Sequence, residues 1–121
     1  LKLKPDHAVG YLNRSIMYQN TGRIDLALQD IESYLKLNPF NADLWYEKGR
    51  ALRLLQRSSE AIAAYSEALK YKSNNAGLFL HERSRTYTEL NQLNEAKADL
   101  QQAVNLGFDK IDPTYRQQFG I

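Results

Sequence analysis

The feature that most constrains this chain of 121 residues is an internal repeat of about 34 residues. Residues 35–39 (LKLNP) match residues 1–5 (LKLKP) at four of five positions. Alanines recur in the same register, since Ala61 follows Ala27 by 34 residues and Ala96 follows Ala61 by 35. A period of this length is typical of stacked supersecondary units, each of which needs a neighbour to bury its apolar face.

Three further columns of residues follow the same period. They hold small side chains at Ser15, Gly49 and Ser84, large ones at Tyr18, Leu52 and Tyr87, and bulky ones four positions after each alanine at Ile31, Tyr65 and Leu100. Spacings of three and four within each copy predict two amphipathic helices per repeat. We expect helices near residues 8–20, 25–37, 42–55, 59–71, 77–90 and 94–106, and an all-α fold because no segment alternates as a strand would.

Several residues predict where helices begin and end. Asn41 is a suitable N-cap for the third helix, and Gly107 is a suitable stop for the sixth. Asp112 followed by Pro113 predicts the start of a short C-terminal helix, whose Tyr115 or Phe119 would cover the last repeat. The alternative for this segment is a frayed tail.

The middle copy carries a recognisable motif, W-x2-K-G-x2-L over residues 45–52, followed by Ala61-x3-Tyr65 and Ala68. This pattern resembles the tetratricopeptide repeat, and the first and third copies match it more loosely. The resemblance covers about residues 1 to 110. It implies a right-handed α-α superhelix (solenoid) of three tandem helix-turn-helix repeats with a short C-terminal capping helix.

We divide the chain accordingly into residues 1–7, the tail of a preceding repeat, then repeats at 8–41, 42–76 and 77–110, and a cap or tail at 111–121. The tail suggests a piece of a longer array. Arg14, Lys48 and Arg83 replace a leucine that is customary in the family. We expect them to lay their aliphatic stems over neighbouring helices with their charges in water.

The resemblance also implies that the first helix of each repeat lines a concave groove. The candidate binding residues on this face are Leu12, Asn13, Ile16, Asp43, Tyr46, Glu47, Arg50, His81, Glu82 and Arg85, and the face continues with Val9, Gln19, Arg53, Leu78 and Thr88. Because Tyr46 and His81 occupy matching positions in adjacent repeats, we expect them side by side.

One subset of the family grips the C-terminal carboxylates of heat-shock chaperones. Asn13 matches one asparagine of that clamp, but Asp43 and Glu47 stand where the resemblance calls for a lysine and an arginine. Two carboxylates would repel such a ligand. A basic or mixed-charge segment with an apolar anchor fits the face better.

Plain structural interpretations compete with these functional ones. Asp43 could simply complement a helix dipole, and Glu47–Arg50 and Glu82–Arg85 could be ordinary surface ion pairs. A lone histidine such as His81 is more often a polar contact than a catalyst.

Composition excludes several classes of function. The chain has no cysteine, its two histidines, His7 and His81, are 74 positions apart, and we predict neither a metal nor another cofactor. No window has the roughly 18 apolar residues that a membrane span needs, so we expect no direct membrane insertion. A net charge of +2 without a basic stripe argues against nucleic acid, including the related helical-pair arrays that read RNA.

The sequence therefore predicts a non-enzymatic module that binds a peptide or helical segment of another protein in its groove. The alternative is self-association as a homo-oligomer, or a docking arm of a larger multi-repeat protein with an enzyme or membrane anchor upstream. The lack of cysteine fits the cytoplasm and the bacterial periplasm equally.

Overall fold

A computed structural model describes residues 8–121, except for the side chains of residues 8, 9, 11 and 12. The predicted tail of a preceding repeat at residues 1–7 and the side chain of Leu12 lie outside this described part. Within it the chain forms seven α-helices and no strand. The helices are α1 (Ala8–Asn20), α2 (Ile24–Leu37), α3 (Ala42–Leu54), α4 (Ser58–Lys70), α5 (Ala76–Glu89), α6 (Leu93–Asn105) and α7 (Pro113–Gln118).

The six long helices lie within one residue of their predicted positions at each end. Each packs against the next along the chain, and α1 also contacts α3, the first helix of the following pair. The predicted all-α solenoid of tandem helix pairs is confirmed. The repeat boundaries drawn at residues 41, 76 and 110 stay a prediction.

The turn inside each helix pair has the same backbone geometry. Gly22, Gln56 and Asn91 occupy equivalent positions with positive φ angles of 78°, 61° and 58°. The residue after each donates its N–H to a carbonyl five positions back, as in Arg57 to Leu52 at 2.8 Å. This is the Schellman ending of a helix, which requires a left-handed residue. Gly107, with φ 86°, ends α6 in the same way, as predicted.

The alanine and small-residue columns mark where paired helices cross. Ala27, Ala61 and Ala96 are fully buried. A Cβ atom placed on Gly49 would lie 2.6 Å from ring carbons of Tyr65, so only glycine fits between α3 and α4 there. In the third pair, Ser84 occupies the equivalent position and donates its hydroxyl to the carbonyl of Ala96 at 2.7 Å. Close helix approach at this column is therefore a property of the repeat.

The basic residues at the customary leucine position end in ion pairs. Arg14 contacts Asp30 at 2.7 Å and Arg83 holds Asp99 through two contacts of 2.7 Å, in each case from the first to the second helix of a pair. The prediction did not include this pairing with an aspartate sixteen residues later, while 31% of the Arg14 side chain and 20% of the Arg83 side chain stay exposed. Alanine occupies that place in the middle pair, and Lys48 contacts Glu32 of α2 instead, at 3.6 Å.

The C-terminal segment forms the predicted cap. Asp112 accepts a hydrogen bond from the backbone N–H of Thr114 at 3.1 Å, and Pro113 opens α7. Tyr115 and Phe119 are buried against α6. The alternative of a frayed tail was wrong, because these two rings cover apolar surface that the last repeat would otherwise leave in water.

Candidate functional site

A depression of about 280 Å³ opens on the face formed by α1, α3 and α5. We call it the groove pocket, and its lining residues are Asn13, Ile16, Asp43, Tyr46, Glu47, Asn75, Leu78 and Phe79. Five of these are candidate binding residues from the sequence, and Leu78 belongs to the same predicted face. The first helices of the three pairs thus form one surface of mixed polarity from residues up to 66 positions apart in the chain.

Aromatic rings hold one wall of the groove pocket in place. The ring of Tyr46 stacks on Phe79 with centroids 5.0 Å apart, and lies 5.7 Å from Tyr65 of α4. Burial raises the pKa of the Tyr46 phenol well above its usual value, and the negative charges of Glu82 and Glu47 raise it further. Tyr46 therefore offers a neutral, well-fixed ring at physiological pH.

Two carboxylates form the acidic side of the groove pocket. Glu47 is 5% exposed and accepts a hydrogen bond from Nε2 of Gln19 at 2.9 Å. Burial raises the pKa of Glu47, the Gln19 hydrogen bond and the charge of Arg50 oppose that rise, and the charge of Asp43 adds to it. Asp43 accepts a hydrogen bond from the side-chain amide of Asn75 at 3.3 Å.

The predicted surface ion pair between Glu47 and Arg50 does not form among the described residues. Glu47 turns inward to the amide of Gln19, whereas Arg50 remains half-buried on α3 and outside the pocket lining. The interpretation of Glu47 as an ordinary surface residue was therefore wrong.

A second polar cluster joins α3 to α5 beyond the groove pocket. Arg53 contacts Glu82 at 3.2 Å and Glu89 at 2.8 Å, while Nδ1 of His81 lies 2.7 Å from Glu82. Burial alone would raise the pKa of Glu82, but the hydrogen bond from His81 and the nearby positive charges hold it below its usual value. The predicted Glu82–Arg85 pair was wrong, because Glu82 is held by Arg53 and His81.

Residues that follow α6 pack on two further candidate residues, His81 and Arg85. His81 is 8% exposed, and its ring packs 5.1 Å from Phe108 and 6.2 Å from Tyr115. The guanidinium of Arg85 lies 4.5 Å above the Tyr115 ring. Tyr46 stacks on Phe79, and no ring contact joins it to His81 among the described residues, so the expected side-by-side placement of Tyr46 and His81 stays a prediction.

Two residues of the groove pocket were absent from the sequence prediction. Asn75 precedes α5 and lies outside any helix face, so a helical pattern could not include it. Phe79 is almost fully buried, and its place one repeat after the buried Leu44 is the signal that could have found it. Between residues 8 and 121, no three histidine, aspartate or glutamate side chains come together as metal ligands, and no helix is both long and apolar enough to cross a bilayer.

Comparison with known families identifies the helix pairs. A model described as tetratricopeptide repeat matches residues 12–76, and a second model of the same description matches residues 79–106. The chain belongs to the tetratricopeptide repeat family. The motif over residues 45–52 lies inside the first of these matches, in agreement with the resemblance read from the sequence.

Relatives share parts of this tetratricopeptide repeat chain. It is 34% identical over 59 residues to the uncharacterized protein MJ0572 of Methanocaldococcus jannaschii, covering 49% of this chain and 69% of that protein. It is 33% identical over 69 residues to human tetratricopeptide repeat protein 28, covering 57% of this chain but only 3% of that protein.

Solved structures share the fold. The first tetratricopeptide domain of Spaghetti (RPAP3), bound to the HSP90 peptide SRMEEVD, superposes with a TM-score of 0.83 at 17% identity, over 97% of this chain and 90% of that one. The second domain of the same protein, with the same peptide, gives 0.77 at 22% identity, over 84% and 94% of the two chains. MamA gives 0.73 at 25% identity, over 85% and 60%. The family and fold are those of protein–protein interaction modules, which are typically not enzymes.

Proposed function

We propose that this tetratricopeptide chain binds an extended or helical segment of a partner protein in the groove pocket. The observation that carries the proposal is the depression between the first helices of the three pairs, lined by apolar, amide and carboxylate groups. Concave sites of this composition are the usual places where ligands are anchored and oriented.

The groove pocket is arranged before a ligand arrives. Phe79 and Tyr65 fix the ring of Tyr46, and the contacts of Arg53 with Glu82 and Glu89 tie α3 to α5. A prearranged surface lowers the entropy lost on association, because only the partner segment must become ordered. This supports recognition of a flexible peptide by a rigid groove.

We expect the groove pocket to bind poorly the peptide SRMEEVD that is bound to the Spaghetti domains. The carboxylates of that acidic peptide would be repelled by Asp43 and Glu47 of the groove pocket, because like charges oppose association. We therefore propose a protein partner of different charge for this chain.

The experiment selects peptides from a display library of random sequences on the full 121-residue chain and measures their affinity by fluorescence anisotropy. Leu78→Glu places a charge in the groove pocket, and we expect it to weaken binding by about tenfold or more. The matched control is Ala63→Glu, in the depression between α3 and α4 on the other side of the helix layer. Loss of binding in Ala63→Glu alone would contradict the proposal and place the binding site in the depression between α3 and α4.

Self-association is the alternative function, and exposed apolar side chains favour it. Phe40 is 70% exposed, Leu106 62%, Met17 55% and Leu54 54%. Sedimentation over a range of concentrations distinguishes the two functions. A concentration-independent monomer that binds selected peptides supports the groove, whereas a dimer that competes with the peptides supports self-association.

A further inference from the structure

We propose that the groove pocket selects a cationic side chain, a lysine or an arginine, of the partner segment. This inference rests on the proposed function, because it specifies the ligand of the same site. The observation that carries it is that two equally buried carboxylates of this protein, Glu47 and Asp99, have different partners.

Glu47 and Asp99 are both 5% exposed, yet among the described residues only Asp99 forms an ion pair. Asp99 receives two hydrogen bonds of 2.7 Å from Arg83, which is the usual way to keep a buried carboxylate. Across the described residues, Glu47 contacts no cation and receives a single hydrogen bond from the neutral amide of Gln19. A buried charge without an ion-pair partner is unfavourable, so a cation supplied by a ligand would gain a favourable electrostatic contact there.

Asp43 strengthens this preference from one helical turn away. Residues four apart lie on the same face of a helix, and both carboxylates line the groove pocket. The hydrogen bond to Asp43 comes from the neutral amide of Asn75, and among the described side chains no lysine or arginine forms an ion pair with it. The two negative charges repel each other, and a bound cation between them would relieve that repulsion.

The neighbouring arginines do not neutralise the groove pocket. Arg53 is engaged by Glu82 and Glu89. Arg50 follows Glu47 by three residues, but it stays beyond ion-pair distance and outside the lining. Its charge lowers the pKa of Glu47 without overcoming burial. Arg50 therefore reduces the negative potential at Glu47 without forming an ion pair, and Asp43 and Glu47 are the charged side chains of the pocket lining.

The remaining wall suits the stem of a long basic side chain. Ile16, Leu78 and the ring of Tyr46 provide apolar carbons for the methylene groups. A cation near the Tyr46 ring gains a further attraction from the ring quadrupole. The groove pocket thus combines apolar carbons with two carboxylates, which matches the apolar stem and charged end of a lysine or arginine side chain.

The test uses random-peptide display on the full chain, with the wild type and the double variant Asp43→Asn, Glu47→Gln as baits. Both substitutions keep the size of the side chain, and circular dichroism is used to check that the variants keep the helical content of the wild type. The matched control is Glu95→Gln, Asp109→Asn, which removes the same two charges from exposed positions outside the groove pocket. The best wild-type peptide is then made with its basic residue as lysine, arginine, norleucine or citrulline.

We expect wild-type peptides to share a basic residue beside apolar ones. Norleucine or citrulline should weaken binding to the wild type about tenfold or more. The pocket variant should weaken binding of the lysine and arginine peptides by the same factor, so that all four peptides bind it with similar affinity. The control variant should bind as the wild type does. Whether lysine or arginine binds tighter identifies the preferred cation.

Two results would overturn the inference. Peptides that lose binding to Leu78→Glu but carry no basic residue would leave the proposed function intact and refute the cation pocket. Failure to enrich any peptide that depends on the groove pocket would refute both.

Discussion

At the residue scale, the most informative group is the carboxylate of Glu47. Burial raises its pKa, so the folded protein holds a proton there more tightly than the unfolded chain does. When the pH rises through the interval between the unfolded pKa and the raised folded pKa, the folded state must give up that proton. Ionised Glu47 consequently lowers the free energy of unfolding.

We predict that Glu47→Gln raises the free energy of unfolding at neutral pH, because the substitution keeps the acceptor for Gln19 and removes the buried charge. The gain should vanish at acidic pH, where the wild-type carboxyl is already protonated. Urea denaturation across the pH range measures both effects. Asp99→Asn is the control and should be destabilising at neutral pH, since it breaks the ion pair with Arg83. A loss of stability in Glu47→Gln at neutral pH would contradict the prediction.

Left-handed backbone at Gln56 leads to a second prediction. A residue with a Cβ atom is strained at φ 61°, whereas glycine adopts this conformation freely, as at the equivalent Gly22. We expect Gln56→Gly to stabilise the fold by about 1 kcal/mol in thermal or urea unfolding. Gln56→Ala keeps the strain and serves as the control. Equal free energies of unfolding for the two variants would show that the backbone at residue 56 is not strained, and would contradict the prediction.

At the element scale, the helix crossings depend on the small-residue column. Gly49 lies where the Tyr65 ring leaves no room for a methyl group, while Ser84 fits the third pair because its hydroxyl finds the Ala96 carbonyl. The same repeat position therefore tolerates different residues in different pairs. The neighbour across the crossing decides which one fits.

We predict that Gly49→Ala destabilises the chain by roughly 1 to 3 kcal/mol, because the new methyl group overlaps ring carbons of the buried Tyr65. Gly10→Ala in α1 is the matched control, since a Cβ atom there meets nothing within 4 Å. The control should be neutral or slightly stabilising, as expected for alanine in a helix. Thermal unfolding of the two variants compares them directly, and equal melting temperatures would show that α3 and α4 can separate at no cost.

At the scale of the whole molecule, contacts run from each helix to its chain neighbours, and α7 closes one end. Tyr115 is central to this closure. Its hydroxyl lies 2.7 Å from that of Ser84 and 2.8 Å from that of Thr88, and its ring packs with Phe119. In a stack whose stability is a sum of nearest-neighbour terms, damage at one end should stay near that end.

We predict that Tyr115→Ala, at a cost of about 3 kcal/mol, lowers hydrogen-exchange protection in α5 and α6 far more than in α2 and α3. Mass spectrometry of peptide fragments measures this gradient. Tyr115→Phe, which removes only the hydroxyl, should cost about 1 kcal/mol with the same spatial pattern. An equal loss of protection in every helix would instead show that the chain unfolds as one unit.

Much of the candidate site followed from the repeat period. Ile16, Tyr46 and Glu47 were assigned to one face by the resemblance to the tetratricopeptide repeat together with helical spacing, and they do line one pocket. The roles of His81 and Arg85 could not be predicted in the same way. Both pack against Tyr115 of α7, and His81 also packs against Phe108, so their contacts depend on how the chain folds back after α6.

The amino-acid order alone determined the number of helices, their ends and the columns that meet at the crossings, because these depend on spacing along the chain and on local backbone preference. The tertiary structure alone decided which charge meets which. Arg53 reaches Glu82 and Glu89 across a helix interface, and Glu47 meets Gln19 rather than Arg50. Neighbouring ion pairs on one helix are worth only a few tenths of a kcal/mol. Such small preferences yield to burial and to partners that only the packed helices bring within reach.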